Sequence, residues 1–172
     1  MDTVKGPDRK EERIERMVNL YQLPLLRLCI MYLHDEEQAK DAVQETFIKA
    51  YRNMDSFRAD ASEKTWLTRI AINTCKNVYR SGWFRHVERR FTAEEMPERA
   101  ADAPFPDGDV SRAVAALPAR LRTAVLLRYY QGLKLRETAA ALGLTEGAVR
   151  RRLSRANGLL RQQLKEWYFD EE

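Results

Sequence analysis

LRETAAALGLTEGAVRRRL, residues Leu135–Leu153, combines two short helical patterns with a glycine between them. Ala139 is small enough to let two helices approach each other, and Gly143 can adopt the positive φ that a tight turn requires. Thr145 is expected as the N-cap of the second helix. The side chains expected in the shared core are Leu142, Leu144 and Val149. The stretch therefore predicts a helix-turn-helix.

The second helix of this pair has one apolar and one basic face. At 100° per residue, its apolar stripe comprises Val149, Leu153, Ala156 and Leu160, and the opposite face comprises Gly147, Arg151, Ser154, Arg155 and Gly158. Arginines on such a face can reach phosphates or guanine edges in a major groove. We interpret Gly147 as a point where the backbone approaches DNA closely, whereas we expect Gly158 to weaken or end the helix.

Charge is distributed unevenly along the chain. The net charge is +4, yet residues 112–165 carry twelve basic and only two acidic side chains. Residues 86–111 carry three basic and seven acidic side chains, and the last seven residues include four acids. The basic segment is typical of a polyanion binder, and a solvated basic face is the alternative that charge alone leaves open.

Residues 86–111 separate two helical regions. They show no sustained apolar period, contain three prolines, and are longer than the usual connection inside a compact domain. The 7 glycines and 6 prolines of the whole chain are few enough to favour helix elsewhere. We therefore predict an all-α protein with two small helical domains, residues 1–85 and 112–172, joined by a flexible acidic linker at 86–111.

Three helices are predicted in the amino-terminal domain. YQLPLLRLCIMYL suggests the first, in which Pro24 is tolerated only near the start. Asp35 with Gln38 forms a capping-box pattern for the second, and Ser62 can cap the third. Helical spacing assigns to the core Ala39, Val43, Phe47, Ala50, Tyr51 and Met54 of the second helix, and Leu67, Ile70, Ala71, Thr74 and Val78 of the third.

The outward faces of the second and third helices differ in chemistry. Ile48 lies among charged side chains, as the anchor of a protein contact would, although single exposed apolar residues are common. The third helix combines Lys64, Thr68, Lys76, Asn77 and Arg80 with the aromatic residues Trp66, Trp83 and Phe84. Cations and stacking rings together are typical of single-strand nucleic-acid binding, and packing of these rings in the core is the alternative.

Composition and spacing argue against several classes of protein. Cys29 and Cys75 form no metal-ligand pattern and are expected to be buried free thiols. His34 and His86 lack metal-ligand or triad spacing, so we predict no enzyme, catalytic residue, cofactor or metal site. No apolar run approaches the roughly 20 residues of a membrane span, and the amino terminus lacks a signal-peptide core. We therefore expect a soluble cytoplasmic protein.

Several blocks of sequence, in this order, resemble one family. DAVQETFIKAY (41–51), TWLTRIAINTCKNVYR (65–80), LPARLRTAVLLRYYQGL (117–133) and ETAAALGLTEGAVRRRLSRA (137–156) are similar to the motifs of bacterial sigma factors of the extracytoplasmic-function (ECF) class. The similarity extends over nearly the whole chain. It implies a sigma factor that keeps only the region 2 and region 4 modules.

The resemblance also implies three sets of binding residues. Core RNA polymerase would bind the face formed by Asp41, Gln44, Glu45, Ile48 and Arg52. The melted minus-10 promoter element would bind Arg58, Asp60, Ser62, Lys64, Asn73, Lys76, Asn77 and Arg80. The duplex minus-35 element would bind Thr145, Glu146, Gly147, Arg150, Arg151, Ser154 and Arg155.

The implied partners are the clamp of the largest polymerase subunit, the flap of the second subunit, promoter DNA as duplex and as melted single strand, and an anti-sigma factor. The implied function is promoter recognition and transcription initiation for a stress or envelope regulon, without direct membrane insertion. The chain departs from the family at Arg136 and Thr138 and where Asn157 and Gly158 replace a basic pair. RADASEK (58–64) also lacks the aromatic residue often found before TWL.

Two alternatives belong to other functional classes. A stand-alone helix-turn-helix regulator would dimerise on duplex DNA, but we find no heptad seam and no ligand-pocket domain. An adaptor whose basic domain binds RNA or an acidic protein would leave the LGLTEGAV corner unexplained.

Overall fold

A computed structural model describes residues 7–58, 61–81 and 108–169 of the chain. Every regular element in these ranges is helical and none is a strand, which confirms the predicted all-α class. The chain divides into two compact units, Met1–Phe84 and Arg85–Glu172. None of the described helices is long and apolar enough to cross a membrane.

Three helices form the first unit: α1 (Pro7–Leu33), α2 (Glu36–Arg52) and α3 (Glu63–Arg80). A short 3-10 turn at Met54–Ser56 follows α2. Each helix packs against the other two. Their shared core contains the fully buried side chains of Met17, Leu28, Leu33, Leu67 and Ile72.

The predicted caps of α2 and α3 are confirmed. Oδ1 of Asp35 accepts a hydrogen bond from the backbone N–H of Gln38 at 2.9 Å, and Oγ of Ser62 accepts one from the N–H of Thr65 at 3.1 Å. Since the first turn of a helix leaves its amides without intrahelical partners, each cap stabilises its helix by about 1 kcal/mol.

The first helix is longer than predicted. It starts at Pro7 and spans 27 residues, so Pro24 lies inside the helix and the prediction that it lies near the start was wrong. The early turns are rich in charge and show little apolar periodicity, which hides them from sequence analysis. In the folded chain they are held by ion pairs with later segments, such as the one between Lys10 and Asp55, whose Nζ and Oδ2 lie 3.1 Å apart.

Two side chains face the opposite way from the prediction. Tyr51, assigned to the core of α2, is 36% exposed, and Nζ of Lys10 lies 4.9 Å from the centre of its ring. Thr68, assigned to the outward face of α3, is fully buried. Thr68 lies on the same side of α3 as the buried Thr65 and Ile72, so its hydroxyl misled an assignment based on polarity.

The two cysteines form a buried pair in the first unit. Sγ of Cys75 on α3 lies 3.5 Å from Sγ of Cys29 on α1, and both residues are fully buried free thiols, as predicted. The hydrogen bond to Cys29 and the burial of the thiol both raise the pKa of Cys75. The protonated form is therefore favoured inside the bundle.

The second unit contains four helices: α4 (Gly108–Ala116), α5 (Ala119–Val125), α6 (Leu135–Leu142) and α7 (Glu146–Phe169). A π-helical segment, Leu126–Tyr130, continues α5. α4 begins inside residues 86–111, the range predicted as a linker, most of which lies outside the described residues. The core of the unit is formed by Leu117, Leu121, Ala124, Val125, Ala139, Val149, Leu153 and Ala156.

The corner between α6 and α7 is the predicted helix-turn-helix. Gly143 ends α6 with φ 65°, a conformation that glycine adopts without a steric penalty. Oγ1 of Thr145 accepts a hydrogen bond from the N–H of Ala148 at 3.2 Å, which confirms its capping role. Leu142 and Leu144 pack against the core on either side of the turn.

α7 continues well beyond Gly158. It runs for 24 residues to Phe169, so the helix does not end at Gly158, and the expectation that this glycine weakens the helix stays a prediction. A glycine in a helix interior costs roughly 1 kcal/mol relative to alanine. Leu159 and Leu160 pack against the core directly after it, and this tertiary packing offsets that cost.

Candidate functional site

The outer face of α2 gathers the residues predicted to bind polymerase. Its members recur at helical spacing, and all are exposed except the half-buried Glu45: Asp41, Gln44, Glu45, Ile48 and Arg52. Ile48 is 44% exposed in the middle of this set. On the opposite side of the helix, Ala39, Val43 and Phe47 are buried in the bundle. This face therefore presents the apolar side chain of Ile48 within a polar rim, and Tyr51, which is 36% exposed, lies three residues further along the helix.

Lys49 contacts both this face of α2 and the neighbouring helix α3. Its Nζ lies 3.4 Å from Oε1 of Glu45 and donates a hydrogen bond to Oγ1 of Thr74 on α3 at 3.3 Å. The ammonium group of Lys49 therefore contacts both the carboxylate of Glu45 on its own helix and the hydroxyl of Thr74 on α3. An orientation fixed in this way lowers the entropy lost when a partner binds.

A second group of predicted residues surrounds the start of α3. Arg58 is exposed and Lys64 is half-buried, while Asp60 lies outside the described residues. The hydroxyl of Ser62 accepts the capping hydrogen bond of α3 and also lies 2.9 Å from Oγ1 of Thr65. The ring of Phe57 packs on that of Trp66 with their centroids 4.9 Å apart. The described residues at the entrance to α3 therefore form an aromatic contact and a polar contact.

The outward face of α3 carries the remaining predicted minus-10 residues. Asn73, Asn77 and Arg80 are exposed, and Lys76 is half-buried. Arg69 is also exposed and lies one turn before Asn73 on the same face, although the sequence analysis passed over it. Its position four residues before Asn73 was the available signal. Trp83 and Phe84 lie outside the described residues.

The outer face of α7 brings together every residue predicted for duplex contact. The exposed members are Thr145, Glu146, Gly147, Arg150, Arg151, Ser154 and Arg155. Val149, Leu153 and Ala156 are buried on the opposite side. Nη2 of Arg150 lies 3.9 Å from Oε2 of Glu146, an exposed pair that leaves the face strongly basic.

Gly147 gives the start of this face its low profile. A Cβ added at Gly147 would meet only Nη1 of Arg151, at 3.8 Å, which is ordinary van der Waals contact. The fold of the free chain therefore does not need a glycine at this position. A requirement for glycine would have to come from a molecule that approaches the backbone.

Comparison with known proteins assigns both units to one family. The family model for Sigma-70 region 2 matches residues 17–85, and the model for Sigma-70 region 4 matches residues 107–157. The chain is 35% identical to the RNA polymerase sigma-H factor of Pseudomonas aeruginosa, covering 90% of this chain and 91% of that protein. It is 36% identical to the ECF RNA polymerase sigma-E factor of Escherichia coli, with 91% and 87% covered.

Two solved structures share its fold. The sigma factor RpoE of Bartonella quintana, in complex with the anti-sigma factor NepR, is 27% identical with a TM-score of 0.71, covering 90% of this chain and 98% of that one. CnrH, in complex with the cytosolic domain of CnrY, is 25% identical with a TM-score of 0.68, covering 90% and 89%. With matches to both modules in the expected order, the chain belongs to the extracytoplasmic-function class of RNA polymerase sigma factors.

Proposed function

We propose that this protein is a dissociable specificity subunit that binds core RNA polymerase, recognises promoters and starts transcription. One observation carries the proposal: the chain combines two different exposed faces on two separate units. α2 presents Ile48 within a polar rim, and α7 presents the exposed Arg150, Arg151 and Arg155 beyond a helix-turn-helix corner. A stand-alone DNA-binding regulator would need the second face only.

Polymerase is proposed to contact the outer face of α2. An exposed apolar anchor surrounded by polar groups is a common arrangement at the centre of a protein interface. Ile48 is that anchor, and Asp41, Gln44, Glu45 and Arg52 form its rim. The partner element is the clamp of the largest polymerase subunit, and the second unit is proposed to meet the flap of the second-largest subunit.

The minus-35 element is proposed to be read as duplex by α7. Arg150, Arg151 and Arg155 can neutralise phosphates or donate to guanine edges, and the low profile at Gly147 lets the helix enter the groove. Each phosphate that is neutralised releases counterions, so this contact should weaken steeply as salt concentration rises.

The minus-10 element is proposed to be captured as single strand by α3 and the corner before it. Exposed Asn73, Asn77 and Arg80 supply donors and acceptors for unpaired bases and phosphates. Binding of the unpaired strand offsets the free energy needed to open the duplex. The protein therefore contributes binding and positioning, without covalent chemistry and without a cofactor.

Binding to polymerase is proposed to raise the affinity of the protein for promoter DNA. Each unit is small, so the free protein should bind promoters weakly. Fixing both units on polymerase raises the effective concentration of the second contact once the first is made. The protein would work in the cytoplasm, where polymerase transcribes.

Regulation is proposed to come from an anti-sigma factor that covers one of these faces. The related sigma factor RpoE was solved with the anti-sigma factor NepR, and CnrH with CnrY. A partner that buries the outer face of α2 or of α7 would compete with polymerase or with promoter DNA. A stress or envelope regulon fits such a reversible control.

Run-off transcription tests the proposed function. Core RNA polymerase is incubated with a library of duplex promoters, with and without this protein, and transcripts are sequenced. We expect a set of transcripts that appears only with the protein and shares two sequence elements at fixed spacing. Absence of such transcripts, together with failure to co-purify with core polymerase, would refute the proposal.

A further inference from the structure

The first turns of α1 precede the segment that the Sigma-70 region 2 model matches. α1 starts at Pro7, whereas the match to Sigma-70 region 2 starts at residue 17. The intervening turns carry cations at positions 10, 13 and 16. All three contact the segment that leads into α3, where the minus-10 element is proposed to bind.

Glu63 is the centre of these contacts. Its Oε1 accepts hydrogen bonds from Nε and Nη2 of Arg13 at 3.2 and 3.0 Å, and from Nη2 of Arg16 at 2.8 Å. The Glu63 side chain is only 18% exposed. The Arg13 and Arg16 side chains are 35% and 53% exposed, so water screens the charges, and Glu63 is held mainly by the geometry of three hydrogen bonds to one carboxylate oxygen. Glu63 is the first residue of α3, so the two arginines fix the point where that helix begins.

Arg13 also fixes the aromatic corner before α3. Its guanidinium carbon lies 4.9 Å from the centre of the Phe57 ring, and that ring packs on Trp66. Lys10 extends the contact to the 3-10 turn through Asp55 and covers the ring of Tyr51. The cations of α1 therefore hold the last turn of α2, the 3-10 turn and the first turn of α3.

We propose that Lys10, Arg13 and Arg16 form a brace that holds the minus-10 binding corner in its DNA-bound geometry before the promoter melts. In this brace Arg13 and Glu63 are positioning residues, which act through Phe57, Trp66 and the backbone at the start of α3. The inference rests on the proposed function. A preformed corner would not lose conformational freedom when it captures an unpaired base, so more of the contact energy is available to discriminate between bases.

Direct contact between these arginines and DNA phosphates is the competing interpretation. A phosphate contact raises the affinity for DNA equally for all sequences. It also adds about one unit to the salt slope, which is the slope of log affinity against log salt concentration. Removing the negative charge of Glu63 would then free both arginines and strengthen DNA binding. The brace predicts the opposite result, because loss of Glu63 loosens the corner and reduces discrimination.

The experiment is run-off transcription with holoenzyme on a promoter library randomised across the minus-10 element, read by transcript sequencing. We compare the wild type with Glu63→Gln, Arg13→Gln and the milder Arg16→Gln. Glu36→Gln is the matched control, because Glu36 is likewise the first residue of a helix after its cap and pairs with the exposed Lys40 of its own helix. Core affinity and minus-35 preference are measured in parallel, and circular dichroism verifies helix content.

Glu63→Gln and Arg13→Gln should reduce base discrimination in the minus-10 element by about fivefold, equivalent to about 1 kcal/mol. A double variant that combines Glu63→Gln with Arg13→Gln should lose no more than Glu63→Gln alone, because Glu63→Gln already breaks the charged contact with Arg13. Core affinity, minus-35 preference and the behaviour of Glu36→Gln should stay at the wild-type level.

Three results would overturn the brace. Unchanged discrimination with lower yield would reduce these residues to a structural role, and stronger DNA binding by Glu63→Gln would indicate phosphate contacts. Equal losses in minus-10 discrimination, minus-35 preference and core affinity would indicate global unfolding instead of positioning. If the wild type directs no promoter-dependent transcripts, the proposed function fails and the brace fails with it.

Discussion

Gly147 and Gly158 both lie on the exposed side of the same helix, α7, and they have different proposed roles. Gly147 belongs to the face proposed to enter DNA, and Gly158 lies in the third turn after it. A Cβ at Gly158 would meet nothing within 4 Å. The fold does not require glycine at either position, so substitutions can separate helix propensity from DNA contact.

Exchange of each glycine for alanine should separate an effect on stability from an effect on DNA binding. Gly158→Ala should stabilise the second unit by about 0.5–1 kcal/mol through helix propensity and leave minus-35 duplex binding unchanged. Gly147→Ala should weaken that binding about tenfold, because its methyl group would stand where the backbone is proposed to approach DNA. Urea denaturation and holoenzyme binding to duplex promoters measure the two effects. Equal binding by both variants would remove the close-approach explanation for Gly147.

The thiol of Cys75 should make the first unit sensitive to alkaline pH. Its pKa is raised by the hydrogen bond to Cys29 and by burial, so the folded chain keeps this proton where the unfolded chain loses it. The contribution of this proton to the free energy of unfolding is therefore fully present below about pH 8.5. Above that pH the free energy of unfolding falls by up to about 1.4 kcal/mol per pH unit. Urea denaturation at several pH values should show a smaller loss for Cys75→Ala than for the wild type. Parallel pH profiles for the two proteins would contradict this assignment.

At the scale of helices, local signals were predictable and long-range contacts were not. The caps at Asp35, Ser62 and Thr145 were predicted because each joins a side chain to an amide three residues later. The contact between Arg13 and Glu63 joins residues 50 positions apart and leaves no periodic trace in the sequence. For the same reason the first turns of α1 were missed, since long-range contacts hold them.

A buried cation connects two elements of the second unit. Nη1 of Arg122 on α5 donates a hydrogen bond of 2.7 Å to the carbonyl of Ala115, which lies in the last turn of α4. The residue is only 7% exposed. Such a carbonyl has no partner within its own helix, so Arg122 serves as a C-terminal cap supplied by the next helix.

Replacement of this arginine should destabilise the second unit. Arg122→Met keeps most of the apolar stem but leaves the carbonyl of Ala115 without this donor, at a cost of about 1–3 kcal/mol. Arg120→Met on the same helix is the control, since Arg120 is exposed and its loss should change stability by less than about 0.5 kcal/mol. Urea denaturation measures both. Equal stability of the two variants would show that the buried contact adds nothing.

At the scale of the whole molecule, the sequence indicated which faces exist but not how each is supported. Ile48 could be placed outside the core of α2 from periodicity, and the basic face of α7 followed from its arginine spacing. Arg13 was missed because its contact with Glu63 joins distant positions, whereas Arg69 could have been found from its position four residues before Asn73. In the second unit, α7 continues through Gly158 because the packing of the residues after it outweighs the low helix propensity of glycine.

The two units should divide the work, and Arg151→Ala tests that division. Loss of this exposed arginine should weaken binding of holoenzyme to minus-35 duplex about tenfold and lower the salt slope by about one unit if it contacts a phosphate. Affinity for core polymerase should stay at the wild-type level, because the residue lies on the face of α7 that is proposed to contact DNA and not on the face of α2 proposed to bind polymerase. Binding assays at several salt concentrations measure both quantities. Equal losses for DNA and for polymerase would contradict the division.

The affinity for core polymerase tests the central claim most directly. Ile48→Arg places a charge at the proposed anchor of the interface without entering the core of α2, where Ile48 is 44% exposed. The variant should keep its helix content and lose at least about 100-fold in affinity, equivalent to about 2.7 kcal/mol, while Ile48→Leu should bind nearly as the wild type does. Affinities of Ile48→Arg and wild type for core polymerase within about twofold of each other would contradict the account.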